Sequence, residues 1–230
     1  MILKFFQKLD NSISYLFYNA INEKKFLKYY FKKKKITFID IGANVGSFID
    51  LIKNSLNIKK GYLIEPSLNA CHKLSKRYNS KSFYIHNFAM SDRNRKKKIF
   101  YEYKLSSQSS LYKQNKFFNA FNDLKKISYI QTKKFDDFMD HNILIDLCKI
   151  DTQGEEFNIL KGMSYFLRKK LIRLIKIELT ISRSYNSTEV DYAKITNFMT
   201  KYDYKLVTIS KIKYEKNKVT FMDVYFEPSK

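Results

Sequence analysis

A glycine-rich turn and a more distant acidic residue have the spacing of a nucleoside-binding site. The turn reads Phe38-Ile-Asp-Ile-Gly-Ala-Asn-Val-Gly46 and continues a short apolar run. Gly42 lets the backbone turn tightly, and Gly46 leaves room for a ligand at the start of the next helix. Glu65 lies 19 residues beyond Gly46, at the tip of a second predicted strand, where a carboxylate can accept hydrogen bonds from both ribose hydroxyls. The pattern predicts a bound nucleoside.

The residues of the turn favour S-adenosylmethionine over a nicotinamide dinucleotide. Nicotinamide cofactors usually bind a G-x-G-x-x-G sequence, whereas this turn reads G-x-x-x-G after Asp40. Asp40 can accept a hydrogen bond from the ammonium group of the cofactor or from water beside it. The carboxylate of Glu65 would repel a 2′-phosphate, which argues against an NADP-like ligand.

Residues 87–92 follow the third predicted strand, where the base of the nucleoside would lie. Phe88 or Met90 can pack against adenine, while Ser91 and Asp92 can form hydrogen bonds at its edge. The predicted cofactor-binding residues are Asp40, Gly42, Asn44, Gly46, Glu65, Pro66, Asn87, Ala89, Ser91 and Asp151.

Alternating strands and helices must position these residues. Strands are predicted at 36–41, 61–65, 82–88, 143–151 and 172–179, and helices at 46–56, 68–78, 155–168 and 188–202. Two added strands are predicted near 97–103 and 127–132, around a loop at 104–116. A closing pair of strands is predicted at 204–209 and 219–226. Strands separated by helices imply a mostly parallel sheet with right-handed crossovers. The predicted fold class is therefore α/β and Rossmann-like, with ligands at the carboxyl ends of the strands.

Two segments are expected: an N-terminal helical extension at 1–35 and a single α/β domain at 36–230. In the first, apolar residues recur at helical spacing, at Leu3, Phe6, Leu9, Ile13, Leu16, Phe17 and Ala20. Such a helix either lies on the domain and covers its cleft, or binds a membrane surface as a basic amphipathic helix. The segment does not have the features of a signal peptide, and no apolar run reaches the ~18 residues of a membrane span.

Composition limits the class of protein but not its partner. A hydrophobic content of 44% is ample for a core, which excludes disorder of the whole chain. The two cysteines give no disulfide framework, so a cytoplasmic location is expected. The net charge of +22 comes with abundant Lys, Asn, Ile, Phe and Tyr, as an AT-rich genome would impose. The charge reflects either that bias or a real anionic partner, such as a nucleic acid, an acidic glycan or an anionic lipid.

Four segments of the chain follow one another in the order of a known family, namely FIDIGANVGSF (38–48), LIEPS (63–67), HNFAMSD (86–92) and KIDTQGEEFNILKG (149–162). Through them the chain resembles the FkbM family of methyltransferases over about residues 36–226. The segment at 149–162 is the most specific, because the family pattern is close to K-I-D-x-E/Q-G-x-E-x-x-x-L-K-G. A Ser-rich stretch (Ser106–Leu111), a segment like the family's T-L-D-D-L (Thr132–Phe138, with Phe135 in place of Leu) and an I-K-I-E strand (175–178) follow in the expected order.

The resemblance implies a class I methyltransferase fold with seven strands, the last antiparallel. It also implies O-methylation of sugars or other secondary metabolites. A hydroxyl acceptor must lose its proton as it attacks, and in-line positioning is a large part of such catalysis.

Three carboxylates are candidates for this chemistry. Asp151 is the first candidate for the general base or for orienting the acceptor, and Glu178 and Glu156 follow it. Each has a structural alternative: Asp151 can pair with Lys149, and Glu156 can stabilise a helix N-terminus. His86 is expected to be structural. A metal-dependent mechanism is an alternative for Asp151 and Glu178, although no cluster of His and Asp residues calls for a metal.

The sequence is compatible with three functions. The first is an O-methyltransferase acting on a hydroxyl of a sugar, a glycan precursor or another small metabolite. The second is methylation of a nucleic acid, which the charge favours, although the Asn/Asp-Pro-Pro-Tyr/Phe signature of base methylation is absent from the sequence. The third is a non-catalytic scaffold that binds partners or lipid through residues 1–35.

Overall fold

A computed structural model describes residues 23–32, 34–114, 123–181, 192–215 and 218–229. The strands are β1 (Lys35–Ile41), β2 (Asn57–Ile64), β3 (Phe83–His86), β4 (Ala89–Ser91), β5 (Arg95–Tyr103), β6 (Leu124–Lys134), β7 (Ile145–Ile150), β8 (Ile172–Thr180), β9 (Tyr204–Glu215) and β10 (Lys218–Pro228). The helices are α1 (residues 23–31), α2 (Ser47–Ile52), α3 (Leu68–Arg77), α4 (Phe135–Phe138), α5 (Glu156–Gly162), α6 (Ser164–Arg168) and α7 (Tyr192–Lys201), with one 3₁₀ turn at Ser106–Gln108.

The main sheet has seven strands in the order β3-β2-β1-β7-β8-β10-β9. The first five strands in this order run parallel, and β10 is antiparallel to both β8 and β9. The predicted Rossmann-like fold with an antiparallel last strand is confirmed. The strand order reverses between β1 and β7, where Ile41 pairs with Ile150. The turns after these two strands therefore lie side by side, at the position where open α/β sheets bind ligands.

Helices cover both faces of the sheet because its central strands are apolar on both sides. All six residues of β7 are buried, as expected for a central parallel strand. Side chains alternate between two core clusters: Phe38 and Leu147 belong to one, and Ile39 and Cys148 to the other. The turns at the carboxyl ends are thus anchored by two hydrophobic cores.

A second sheet has three strands in the order β4-β6-β5. The two added strands predicted from the sequence are present as β5 and β6. The strand predicted at 82–88 ends instead at His86, and β4 joins the second sheet. At the break, the Asn87 side chain donates hydrogen bonds to the carbonyl oxygens of Glu65 and Pro66. This side chain-to-backbone bonding turns the chain away from the main sheet.

Helix α1 packs on the main sheet through Leu27 and Phe31, which are buried in the same core cluster as Ile36. The described part of the predicted extension therefore lies on the domain. Residues 1–22, with the apolar series from Leu3 to Ala20, lie outside the described residues, and the boundary at residue 35 stays a prediction. In the ranges that the structure covers, no helix is long and apolar enough to cross a membrane.

The predicted helix at 155–168 is two helices, α5 and α6, which meet at Met163. Asp136 explains the break, because its Oδ2 accepts a hydrogen bond from the backbone N–H of Tyr165 at 3.0 Å and one from the Ser164 hydroxyl at 3.2 Å. A carboxylate capping these groups begins a new helix there. Of the other predicted helices, the one at 46–56 ends at Ile52, and residues 188–191 of the last lie outside the described residues.

Candidate active site

Two clefts adjoin at the carboxyl ends of β1 and β7. Counted together with the open solvent at their mouths, the first cleft spans about 510 Å³ and the second about 980 Å³. The first is lined by residues that include Ile64, Glu65, Pro66, Phe88, Ala89, Met90, Phe100, Leu111 and Glu155. The second is lined by residues that include Glu23, Phe48, Leu51, Lys149, Lys176, Glu178, Lys211 and Asp223. Both clefts share Gly42, Asn44, Ser107 and Asp151. Two ligands, one in each cleft, would therefore be adjacent at these residues.

The turn after β1 depends on glycine at position 42. Its φ is +81°, and a Cβ there would lie 1.9 Å from the carbonyl oxygen of Asp151. Its N–H donates to the carbonyl of Ile64 at 3.0 Å, which ties the turn to the end of β2. Gly42 thus allows the ends of three strands to converge, as the sequence analysis expects of a tight turn.

Gly46 has a different role from the predicted one. It lines neither cleft, and a Cβ at this position would lie 2.5 Å from the ring of Tyr78. The Tyr78 hydroxyl also donates to the Gly46 carbonyl at 3.0 Å. The space at Gly46 is therefore filled by the protein itself, and the glycine serves packing instead of ligand approach.

Glu65 is buried in the first cleft at the end of β2, where the sequence analysis places it. Its Oε2 accepts from the backbone N–H of Asn44 at 2.8 Å, and its Oε1 accepts from that of Ser67 at 2.7 Å. Burial raises the pKa of Glu65 to about 7, against the opposing effect of these two bonds. Each carboxylate oxygen can still accept one further hydrogen bond.

The opposite wall of the first cleft comes from the second sheet. Phe88, Ala89 and Met90 line it, in agreement with the predicted location of the base. Phe100 of β5 and Leu111 complete the apolar wall. Neither residue is predicted from the sequence as part of a site, and the one signal near Leu111 is the Ser-rich stretch that resembles the family.

Ser91 lies behind this wall and not in it. Its hydroxyl donates to Glu155 Oε1 at 2.5 Å, and Glu155 Oε2 accepts from the Tyr112 hydroxyl at 2.6 Å. Glu155 lines the cleft and Ser91 does not. The predicted contact of Ser91 with the base is thus replaced by a contact that fixes Glu155.

Three other residues near the predicted base site also lie outside both clefts. Asn87 is exposed and fixes the backbone after Glu65. Asp92 pairs with Arg93 at 2.9 Å. His86 packs edge-on against Phe138, and burial lowers its pKa, which agrees with the expected structural role.

Lys149 joins the two strand ends that meet at the site. Its Nζ lies 2.9 Å from Asp40 Oδ1, 3.1 Å from the Gly42 carbonyl oxygen and 3.4 Å from Asp151 Oδ2. Burial opposes its charge, but the two carboxylates outweigh that and raise the pKa of Lys149. The predicted pairing of Lys149 with Asp151 is present, and Asp40 is its second partner. Asp40 lines neither cleft, and its Oδ2 has no hydrogen-bond partner among the described residues.

Asp151 and Glu178 are hydrogen-bonded to each other and are bridged by Gln153. The Gln153 side-chain nitrogen lies 2.9 Å from Asp151 Oδ1 and 2.5 Å from Glu178 Oε2. Burial and the neighbouring Asp151 raise the pKa of Glu178 well above its usual value. Burial would also raise the pKa of Asp151, but Lys149 and the bond from Glu178 bring it below its usual value. The pKa values of the two carboxyl groups are thus shifted in opposite directions, which favours the charge on Asp151, whose side chain is 31% exposed.

Glu156 lines neither cleft. Its carboxylate accepts hydrogen bonds from the backbone N–H groups of Thr152 and Gly154, at 2.8 and 2.9 Å. It thereby holds the turn that carries Asp151 in place. Of the three candidate carboxylates, Asp151 and Glu178 lie together in the structure. Glu156 has a structural role instead, at the turn before α5.

A family model, the methyltransferase FkbM domain, matches residues 40–206. The chain belongs to the FkbM methyltransferase family. The family uses S-adenosylmethionine as its methyl donor. The first cleft of this FkbM-family chain fits the adenosyl group of that donor, since it combines apolar walls with the buried Glu65 carboxylate.

Solved structures show the same fold at low identity. Methyltransferase FkbM from Methylobacillus flagellatus KT is 16% identical, with a TM-score of 0.53, over 84% of this chain and 43% of that one. An uncharacterized protein from Listeria monocytogenes serotype 4b is 11% identical, with a TM-score of 0.50, over 90% and 67%. The FkbM-family chain thus spans less than half of the M. flagellatus protein. No curated protein matches the chain.

The far end of the second cleft contains charged residues that the sequence analysis did not assign. Lys176 Nζ lies 2.5 Å from Glu23 Oε1 and 3.0 Å from Asp223 Oδ2, and Lys211 lines the same cleft. Lys176 stands two residues before Glu178 on β8 and so shares its face of the sheet. That spacing is the one signal in the sequence that leads to Lys176, and no comparable signal leads to Glu23.

Proposed function

We propose that this FkbM-family chain transfers a methyl group from S-adenosylmethionine to a hydroxyl group of a sugar, a glycan precursor or another small polar metabolite. The observation that carries the proposal is the partly exposed Asp151 carboxylate, which is paired with Lys149 and lines both clefts. It gives one base access to both the methyl donor and the acceptor.

The residues of the first cleft would hold the cofactor. Glu65 has two free acceptor positions for the ribose hydroxyls, and Phe88 and Met90 offer apolar surface to the adenine. When bound, S-adenosylmethionine supplies an electrophilic methyl group on a sulfonium. The carboxyl end of β1, with Gly42 and Asn44, separates this cleft from the second.

The lining of the second cleft supports a hydrophilic acceptor. Three lysines and four acidic residues line it, namely Lys149, Lys176, Lys211, Glu23, Asp151, Glu178 and Asp223. Phe48 and Leu51 are its large apolar residues among those described. Closely spaced donors and acceptors of this kind suit a molecule with several hydroxyl groups, because each buried hydroxyl needs a hydrogen-bond partner.

Asp151 would accept the hydrogen bond of the attacking hydroxyl. As the new C–O bond forms and the bond between the methyl carbon and sulfur breaks, S-adenosylhomocysteine would leave with the electron pair, and the hydroxyl proton would become strongly acidic and pass to Asp151. A base whose pKa lies below the usual value suffices for this, and Lys149 keeps it ionised until then. Glu178 keeps its proton and orients Asp151.

The Asp151→Asn variant tests this assignment, with Glu178→Gln as the matched variant. We expect Asp151→Asn to lower the rate of methyl transfer by about 100-fold or more, since the base is removed. Its Kd for S-adenosylhomocysteine, measured by calorimetry, should change by less than about threefold. Glu178→Gln keeps a neutral hydrogen-bond donor and should lose much less of the rate. Equal losses in both variants would contradict Asp151 as the base.

Tritium-labelled S-adenosylmethionine tests the acceptor class. The full chain would be incubated separately with monosaccharides, nucleotide-activated sugars and total RNA. Label that is stable to alkali in a sugar product supports an ether, because methyl esters are hydrolysed under these conditions. Label that appears only in RNA would favour nucleic-acid methylation instead.

A further inference from the structure

The outward face of the three-stranded sheet carries exposed aliphatic side chains. Ile99 of β5 pairs with Tyr129 of β6, and Tyr101 pairs with Ile127, so all four share one face. The exposed fractions are 40% for Ile99, 51% for Ile127 and 61% for Tyr129. We call these four residues the outer sheet face.

The inward face of the same sheet packs against the domain. Phe100 is buried between Ala89 and Leu111 and lines the first cleft. Glu102 also lies on this side, where it accepts hydrogen bonds from Ser67 and Ser128. The sheet therefore packs on the domain through one face, while apolar side chains of the other remain exposed. A contiguous exposed apolar patch of this kind marks an interaction site.

The strands around the outer sheet face are strongly basic. Each of β5 and β6 has four Lys or Arg residues, and Glu102 is the single acidic residue of the two strands. Of the lysines that lie in no ion pair with a described carboxylate, Lys97 and Lys125 alternate with Ile99 and Ile127 and so lie on the outer sheet face. The others lie elsewhere: Lys96, Lys98 and Lys126 alternate with Phe100 and Ser128 on the inward side, and Lys133 lies over the ring of Phe88. The charge of Lys97 and Lys125 is therefore available to an anionic partner of the outer sheet face.

The types of the exposed residues distinguish between anionic partners. Single-stranded nucleic acid binds by stacking its bases on aromatic rings. On the outer sheet face, the ring of Tyr129 already has the Lys97 ammonium 4.1 Å from its centre, and Tyr101 is partly buried. The remaining exposed residues, Ile99 and Ile127, are aliphatic, and Leu105 at the end of the same sheet is 54% exposed. Aliphatic side chains next to lysines suit an anionic lipid surface. The aliphatic side chains insert at the boundary between head groups and acyl chains, and the lysine ammonium groups bind the anionic head groups.

We propose that the outer sheet face docks the protein on an anionic lipid bilayer. Because Phe100 lines the first cleft from the opposite side of β5, docking would hold the active site next to the membrane surface. This proposal does not depend on the identity of the acceptor. It is also separate from membrane binding through residues 1–22.

Vesicle co-sedimentation of the full chain tests the proposal. Phosphatidylcholine vesicles with and without phosphatidylglycerol are the probes. We expect binding only with phosphatidylglycerol. The double variant Ile99→Ser, Ile127→Ser should weaken that binding about tenfold, since it removes apolar area without changing the net charge. The matched control is Leu206→Ser, Ile209→Ser, which removes two exposed aliphatic residues of β9 and should bind as the unmodified chain does.

Several outcomes would overturn docking by this face. Unchanged vesicle binding by the Ile99/Ile127 variant would assign the attraction to overall charge or to residues 1–22. A loss of affinity for single-stranded RNA in this variant, with vesicle binding retained, would make RNA the partner. A loss of self-association in sedimentation velocity, again with vesicle binding retained, would make a second copy of the chain the partner. Thermal melting of each variant checks that the fold is intact.

Discussion

At the scale of single residues, Glu65 combines two properties that couple cofactor binding to pH. Two backbone N–H groups hold its carboxylate in the first cleft, yet burial raises its pKa to about 7. In the absence of cofactor, the fold is more stable when Glu65 is protonated. This contribution of Glu65 to stability is fully present below its usual pKa near 4.5 and is lost as the pH rises through about 7. Ribose hydroxyls need the ionised form as acceptor. Cofactor affinity should therefore rise with pH, while the contribution of Glu65 to the stability of the cofactor-free fold falls.

We expect the affinity for S-adenosylhomocysteine to fall roughly tenfold between about pH 8 and about pH 6, because protonation of Glu65 removes the acceptor. Calorimetric titrations at both pH values measure this. Glu65→Gln controls for titration of the ligand itself and should show a much smaller dependence. Glu65→Ala should bind about tenfold or more weakly at the higher pH, since it loses bonds to a charged acceptor. Unchanged affinity in Glu65→Ala would contradict the ribose assignment.

At the scale of secondary-structure elements, Asp136 shows how one motif residue shapes the domain. It lies in the segment that resembles the family's T-L-D-D-L and caps α6 by accepting from Ser164 and from the backbone of Tyr165. Beside it, Phe135 is fully buried and packs edge-on against Phe166, which accommodates the ring where the family usually has Leu. The motif thus joins α4 to α6 by one cap and one aromatic contact.

Removal of the cap should destabilise the fold measurably. We expect Asp136→Ala to lower the free energy of unfolding by about 1–2 kcal/mol, as for other helix caps. The adjacent Asp137 is 51% exposed and pairs with Lys134 at 3.9 Å. Asp137→Ala should therefore cost less than about 0.5 kcal/mol. Urea denaturation followed by circular dichroism compares the two, and equal losses would exclude a capping role.

At the scale of the whole molecule, a buried ion-pair cluster joins three segments that are far apart in sequence. Lys176 of β8 contacts Glu23 of α1 and Asp223 of β10, and the Tyr225 hydroxyl donates to Glu23. Burial opposes the charge of Lys176, but the two carboxylates outweigh it and raise its pKa. The cluster closes the far end of the second cleft and fastens α1 to the sheet.

Breaking this cluster should cost more than breaking any exposed pair. We expect Lys176→Ala to lower the free energy of unfolding by about 3–5 kcal/mol, because two buried carboxylates lose their counter-charge. Lys205 is the control, since it is 52% exposed and pairs with Glu227 at 3.4 Å. Lys205→Ala should cost less than about 1 kcal/mol. Chemical denaturation measures both, and a small effect at Lys176 would mean that water reaches the cluster.

The sequence by itself determined the α/β fold, the turn at Gly42, the position of Glu65 and the candidacy of Asp151 and Glu178. These inferences succeed because they depend on short-range signals. Periodicity tells strands from helices, and the carboxyl ends of parallel strands meet at one edge of the sheet. For the same reason, Phe88 and Met90 line the first cleft together with Glu65, and their contact with adenine stays a prediction.

Only the tertiary structure decided which distant groups meet. Asp40 and Lys149 are separated by 109 residues, and Glu23 and Lys176 by 153. No local pattern encodes such pairings, because spacing along the chain assigns a side chain to a face and not to a partner. Packing also decided that the ring of Tyr78 fills the space next to Gly46. It likewise decided that Glu155 lines the first cleft, while Ser91 lies behind it and donates a hydrogen bond to Glu155. Charge partners and contacts between elements emerge only when the sheets and helices have assembled.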